Sequence, residues 1–352
     1  MLRPIMSISI SQILILCAGG AFTFLAFMLG RKWALKFRFI DRPGGRKQHQ
    51  GAVPPIGGLV IIPMFMVLYL LLQTNALQDW ALLAGIVILL LMGVMDDRIN
   101  MRAGLKFAIQ IFVAGLVVLA GESSIDTLGN ILGTGDIYLG WAAVPFTIAC
   151  LVMMMNALNM MDGLDGLAGG VTFVILISFI CVVTYAGASA IGLLCLLVPL
   201  IVFLYFNMRH PWREKAAVFL GDSGSLTLGL ILGWFCIQMT HTIPHAFPPV
   251  SAIWLLAVPV IDALMLFFLR IRHKRHPFSA DRNHLHHRFL DRGFSVGVTS
   301  LLVMLSVGLC AMIGLSFIVG VPEYILFAGW CVGVMIYMIV GLRSSARRIF
   351  DV

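Results

Sequence analysis

Apolar runs of membrane-crossing length recur along the chain, and short polar segments separate them. The pattern predicts helices over 8–30, 56–74, 80–95, 103–121, 141–158, 167–186, 189–208, 223–241, 250–269, 298–318 and 324–342. A bilayer core needs about 20 apolar residues in a helix. In lipid, only a helix or a closed barrel satisfies its own backbone. The expected fold is therefore all-α and polytopic, with about 11 transmembrane helices in one domain over 1–352. The third run is short and is expected to extend into "MDDR". The segment 122–140 is too polar and glycine-rich to cross, and reads as an external loop with short strands. The first run is too long for a cleaved leader and reads as a retained span.

Composition agrees with the pattern. Of the 352 residues, 60% are hydrophobic and only 11% charged, against about 25% charged in a globular domain. That excludes a disordered chain and argues against a soluble enzyme. The seven cysteines lie scattered in apolar runs without ligand spacing, as small buried hydrophobes do.

The net charge of +8 would suit nucleic acid, but its distribution points to a membrane face. All but one of the 24 lysines and arginines fall in segments on one side of the expected spans; only Arg3 lies opposite. The positive-inside rule then puts the N-terminus outside and the C-terminus in the cytoplasm. The cytoplasmic segments 31–55, 96–106, 156–167, 209–225 and 270–297 form the candidate catalytic face. No nucleic-acid-binding module is evident.

Four unusual polar clusters converge on that face. "MDDR" brings Asp96 and Asp97 to a span end, either as an interfacial cap or as ligands for a divalent cation. "NALNMMDGLDGL" spaces Asn156, Asn159, Asp162 and Asp165 by three; if the helix persists, they form one polar stripe, and Gly163 and Gly166 allow an interruption. Polar groups at membrane depth are costly unless paired or used. "FLGDSGS" offers Asp222 before two serines, as a helix cap or beside an anion-binding helix start. "HPFSADRNHLHHR" holds Arg282, His284, His286 and His287, which suit a diphosphate. Carboxylates and amides favour Mg²⁺, with Mn²⁺ as the alternative; soft ligands are missing. Asp262, in "VPVIDALML", is a further buried acid, read as a structural polar partner.

In the order, spacing and sidedness of these four motifs, nearly the whole chain resembles the polyprenyl-phosphate N-acetylhexosamine-1-phosphate transferases. The run His284-Leu285-His286-His287-Arg288 departs from the three consecutive histidines of the peptidoglycan branch and resembles the N-acetylglucosamine branch. The resemblance implies a bacterial inner-membrane enzyme with a cytoplasmic site, acting early in envelope glycan synthesis of the O-antigen or common-antigen type. Undecaprenyl phosphate would attack the sugar-bearing phosphate of a UDP-N-acetylhexosamine, releasing UMP. The family also implies contact with membrane lipid, and a homodimer.

The resemblance further implies residue roles. Asp222 matches the Mg²⁺ ligand, and Asp97 supports metal or substrate. Asp96 matches the acid that deprotonates or aligns the lipid phosphate. Asn156 and Asp162 match residues near the metal and diphosphate, with Asn159 beside them. Asp165 matches a uracil contact, and Phe219 the ring stacked on that base. Lys106 matches a basic residue near the phosphates. His284, His286 and His287 match phosphate or nucleotide contacts, with His286 among the catalytic group. Arg282 is assigned to sugar selection and His49 to the lipid phosphate. The competing class is a polytopic lipid transporter, which would move substrate without releasing UMP; the nearer alternative is the same reaction with another UDP-N-acetylhexosamine.

Overall fold

A computed structural model describes residues 8–40, 53–99, 101–242, 247–272, 274 and 284–350. The described chain is all-α. In order, the helices are α1 (Ile10–Lys36), α2 (Gly57–Leu72), α3 (Trp80–Ile99), α4 (Ala103–Gly115), α5 (Ala143–Met161), α6 (Leu167–Tyr185) and α7 (Ile191–Asn207). They continue as α8 (Asp222–Thr242), α9 (Pro249–Leu255), α10 (Ala257–Arg272), α11 (Leu285–Leu290), α12 (Val296–Gly314) and α13 (Glu323–Phe350). Local signals set several ends. Ser9 and Gln12 cap α1 reciprocally, the Ser9 hydroxyl accepting from the Gln12 N–H and the Gln12 amide oxygen from the Ser9 N–H. Ser295 caps α12.

Among the described residues, eight helices are long and apolar enough to cross a membrane, or nine if the bent pair α9–α10 counts as one span. Two shorter apolar helices, α2 and α7, occupy the expected runs 56–74 and 189–208. The run 250–269 is not one straight helix: it breaks at Leu256 with a 75° bend. Pro259 explains the break, because it has no N–H for the Leu255 carbonyl and its ring crowds that group. As expected, α3 carries on through Asp96 and Asp97. The segment 122–140 folds back on itself, with Thr127 bridging Tyr138 and Leu128 N–H donating to the Ile137 carbonyl at 2.9 Å.

The helix α8 is the centre of the bundle. In its most apolar stretch 89% of the residues are buried, against 22% in α1 and in α12 and 11% in α13. Helices in lipid gain little from hydrophobicity at their contacts, so small residues that permit close approach hold them together. Glycines show this at the first turn of α8. A Cβ on Gly93 of α3 would stand 2.2 Å from the Ser223 Cα, and one on Gly58 of α2 would stand 2.3 Å from the Gly224 nitrogen. The start of α8 is thereby wedged between α2 and α3. Further along α8, Phe65 and Tyr69 of α2 pack edge-on against Phe235 and Trp234.

Candidate active site

The site grows from the first turn of α8. Gly221, at a φ of 75°, turns the chain so that Asp222 opens the helix. Helix starts leave N–H groups without intrahelical partners. Here a neighbouring helix supplies the acceptor: Asp97 of α3 accepts from the Asp222 N–H at 3.0 Å through one oxygen and from the Ser223 hydroxyl at 3.3 Å through the other. A carboxylate at the positive end of a helix is stabilised there. Asp97 is thus an interhelical cap that fixes where Asp222 stands.

Asp222 then meets three other helices. Lys106 Nζ of α4 donates to Asp222 at 3.2 Å and to Asp96 at 2.7 Å, so one ammonium bridges two carboxylates. Asp96 is buried and also accepts from the Met101 N–H at 2.7 Å. Asn159 of α5 donates to the other Asp222 oxygen at 3.1 Å and to the Ser225 hydroxyl at 2.9 Å. Asn156, one turn deeper, instead binds Gln110 of α4 and the Val152 carbonyl.

Among the described residues, no three His, Cys, Asp or Glu side chains are grouped to hold a metal ion by themselves. The donors present do fit a hard cation completed by substrate. Mg²⁺ typically takes one or two carboxylates and fills its shell with water and phosphate oxygens. Asp222 and Asp96, with the Asn159 amide alongside, offer hard oxygen donors, and Lys106 supplies the positive charge between the two acids.

A second wall adjoins the cluster. The helix α5 ends at Met161, so the polar stripe does not continue: Asp162 is the residue after the helix and Asp165 sits in a turn. Gly166, at a φ of 77°, reverses the chain into α6. Asn207, buried at the end of α7, accepts from the Gly166 N–H at 2.8 Å and donates to the Val218 carbonyl at 2.8 Å. It ties the 162–166 turn to the segment carrying Phe219, which is itself pinned to the start of α2 through Pro54 and Gly57. Asp165 is ion-paired with Arg209 at 2.8 Å and accepts from the Ala216 N–H at 3.3 Å.

The histidines close the third side. His284 stacks on His286, with ring centroids 5.2 Å apart and planes 16° apart, and His286 lies 4.4 Å from His287. His286 also faces the second wall: a Cβ on Gly163 would stand 2.8 Å from its Nε2. Burial pushes the His286 pKa down to about 3, and the neighbouring His284 and His287 act in the same direction. His286 is therefore a neutral hydrogen-bonding group at pH 7.

Comparison with known proteins agrees with this geometry. Residues 80–240 match the model of glycosyl transferase family 4. The undecaprenyl-phosphate alpha-N-acetylglucosaminyl 1-phosphate transferase of Pasteurella multocida (strain Pm70) is 33% identical over 314 residues, covering 88% of this chain and 87% of its own. Proteins of the same name from Salmonella typhi and Escherichia coli (strain K12) are 28% identical over 322 and 320 residues, each alignment covering 90% of this chain and 87% of theirs. The chain belongs to this transferase family.

Within the transferase, the expected residues fall into three groups, with Asn156 apart from them on Gln110 and the Val152 carbonyl. Asp96, Asp97, Lys106, Asn159 and Asp222 form one hydrogen-bonded cluster. Asp162, Asp165 and Phe219 lie on segments joined through Asn207. His284, His286 and His287 pack together. His49 and Arg282 lie outside the described residues. Asn207, Arg209 and Gln110 were not singled out in the sequence. Asn207 and Gln110 carry the same signal as Asn156, an amide within or at the end of an apolar run. Arg209 looks like any positive-inside charge until its partner is seen.

Proposed function

We propose that this chain transfers N-acetylglucosamine 1-phosphate from UDP-N-acetylglucosamine to undecaprenyl phosphate, the first membrane step of an envelope glycan. The carrying observation is the Asp96–Lys106–Asp222–Asn159 cluster, in which four helices set acids and a cation at one end of the bundle. Most of the chain's positive charge is assigned to the same end. Relatives with this transferase name, aligned over most of both chains, support the reading.

An oxygen of the lipid phosphate forms a bond to the sugar-bearing phosphorus. The bond from that phosphorus to the bridging oxygen breaks, and the oxygen leaves with UMP. Asp222, with Asp97 and the neighbouring Asp96, would hold Mg²⁺, which supplies charge neutralisation to the diphosphate. Asp97 orients Asp222 by fixing the start of α8. Asp96 aligns the attacking phosphate, and Lys106 exchanges a carboxylate for a phosphate oxygen as substrate enters. Asn159 holds Asp222 in place, and Asn156 shapes the floor below it. Phe219 stacks on uracil, while Asp165, held by Arg209, borders the base. Asp162 and the neutral His286 hydrogen-bond the diphosphate, with His284 and His287 beside them. His49 and Arg282 are assigned to the lipid phosphate and the sugar.

The same reading takes the chain as one transferase domain of eleven crossings in the bacterial inner membrane. The N-terminus is outside, the C-terminus and site cytoplasmic, and the assembly a homodimer. The test is UMP release by purified protein with undecaprenyl phosphate and Mg²⁺ across a panel of UDP-sugars. UDP-N-acetylglucosamine should be preferred. Preference for UDP-N-acetylgalactosamine or a UDP-muramyl peptide would overturn the sugar assignment.

A further inference from the structure

Asp262 lies in α10 and takes no part in the cluster around Asp222. It is 2% exposed, and three donors from two segments, residues 284–285 and α13, reach it. Its Oδ1 accepts from the Leu285 N–H at 3.0 Å and from the Tyr337 hydroxyl at 2.6 Å, and its Oδ2 accepts from His284 Nδ1 at 3.1 Å. An ionised carboxylate only accepts hydrogen bonds. His284 therefore carries a proton on Nδ1, and its ring plane is fixed. That plane is stacked on His286, which abuts Gly163 in the turn after α5. A buried acid in an apolar bundle is costly unless it is paired or used.

The Tyr337 end of the junction is unusual in its own way. The helix α13 is among the least buried of the molecule, yet it turns this hydroxyl inward. The Arg288 guanidinium lies over the Tyr337 ring at 5.7 Å, which ties α13 to α11 as the hydroxyl ties it to α10. Asp262, His284 and Tyr337 all fall beyond the residues 80–240 that match the family model.

We propose that Asp262 and Tyr337 are positioning residues for phosphosugar transfer: they lock the His284 ring and, through it, the His286 edge of the site, so that the last helix takes part in organising catalysis. The inference rests on the transferase reading given above for its kinetic consequence, and on geometry alone for the clamp itself.

The test uses the full-length protein purified in nanodiscs, with initial rates of UMP release. Removing a carboxylate that fixes the tautomer and ring plane of a functional histidine typically costs about 10–100-fold, so Asp262→Asn should lower kcat by that range. Tyr337→Phe, which removes one hydrogen bond and keeps the ring, should lower kcat by about 3–10-fold. Both should leave KM for UDP-N-acetylglucosamine within about twofold of wild type. In a His284→Ala background neither substitution should cost more than about a further twofold, because their effect passes through that ring. Losses that multiply undiminished in that background would overturn the proposal. Nitrogen-15 histidine spectra, read with and without His284→Ala for assignment, give an arm independent of turnover. His284 should show the Nδ1–H form in wild type and change in Asp262→Asn. An unchanged His284 signal would sink the clamp. If wild-type protein releases no UMP, the transferase reading fails, and the spectra still decide the clamp. If Asp262→Asn does not fold, Tyr337→Phe carries both arms, with a shifted His284 signal expected and an unshifted one contradicting.

Discussion

Replacing Lys106 by methionine keeps the length of the side chain and removes the one ammonium that bridges Asp96 and Asp222. At 2.7 and 3.2 Å, Coulomb's law with an effective dielectric near 20 gives gross attractions of about 6 and about 5 kcal/mol. Desolvation of the three groups offsets most of that. Removing one partner of a buried pair costs about 3–5 kcal/mol net. The Lys106 and Asp222 side chains are 23% and 29% exposed, which favours the lower end. A loss of about 3 kcal/mol in the transition state is roughly a hundredfold in kcat. The same substitution should ease Mg²⁺ entry, since the lysine and the ion answer the same carboxylates. Two assays follow: kcat for UMP release at saturating Mg²⁺, and the Mg²⁺ concentration that raises the thermal midpoint without substrate. Lys106→Met should lose about a hundredfold in the first and respond at lower Mg²⁺ in the second. Unchanged turnover, or a need for more Mg²⁺ in the substrate-free assay, would refute the reasoning.

Phe219→Ala should raise KM for the UDP-sugar by about tenfold, from stacking worth about 1–3 kcal/mol, and leave KM for the lipid unchanged; a change confined to the lipid would contradict the stacking role. Gly163→Ala puts a methyl 2.8 Å from His286 Nε2, so kcat should fall, whereas Gly104→Ala, with open space around it, should behave as wild type. His286 sets a pH dependence of stability. The unfolded histidine takes a proton below about 6.5, and the folded one resists until about 3. Its effect on stability is therefore nil above the unfolded value. Stability falls by up to about 1.4 kcal/mol per pH unit between the two values. Thermal midpoints of wild type should drop faster than those of His286→Gln from pH 7 to pH 5, and parallel slopes would contradict the burial.

The sequence made the helices legible because the bilayer leaves the backbone few alternatives. Apolar run length alone locates α1, α3 to α6, α8, α12 and α13. It does not reveal the break at Leu256, which depends on where the Pro259 ring meets the preceding turn. The acids of the site were equally legible, since a carboxylate at the end of an apolar run is expensive without a use. Their division of labour was not. "MDDR" presents Asp96 and Asp97 as equals, and only the packing of α3 against α8 sends one to Lys106 and the other to the helix start. The spacing of "NALNMMDGLDGL" leaves both a continuous stripe and an interruption at its glycines open, and the chain takes the second, leaving the helix after Met161. Asn207 and Asp262 act through partners distant in sequence, so their roles became visible only when Gly166, Val218, His284 and Tyr337 were seen beside them.

The central claim is that a phosphosugar, and not a sugar alone, moves to the lipid. Purified protein in nanodiscs, supplied with undecaprenyl phosphate, UDP-N-acetylglucosamine and Mg²⁺, gives a nucleotide product and a lipid product that mass spectrometry identifies together. The account predicts UMP with undecaprenyl-diphosphate-N-acetylglucosamine, and loss of both products in Asp222→Ala protein that remains folded. Release of UDP with a sugar on a monophosphate lipid, or full turnover by the Asp222→Ala protein, would contradict it.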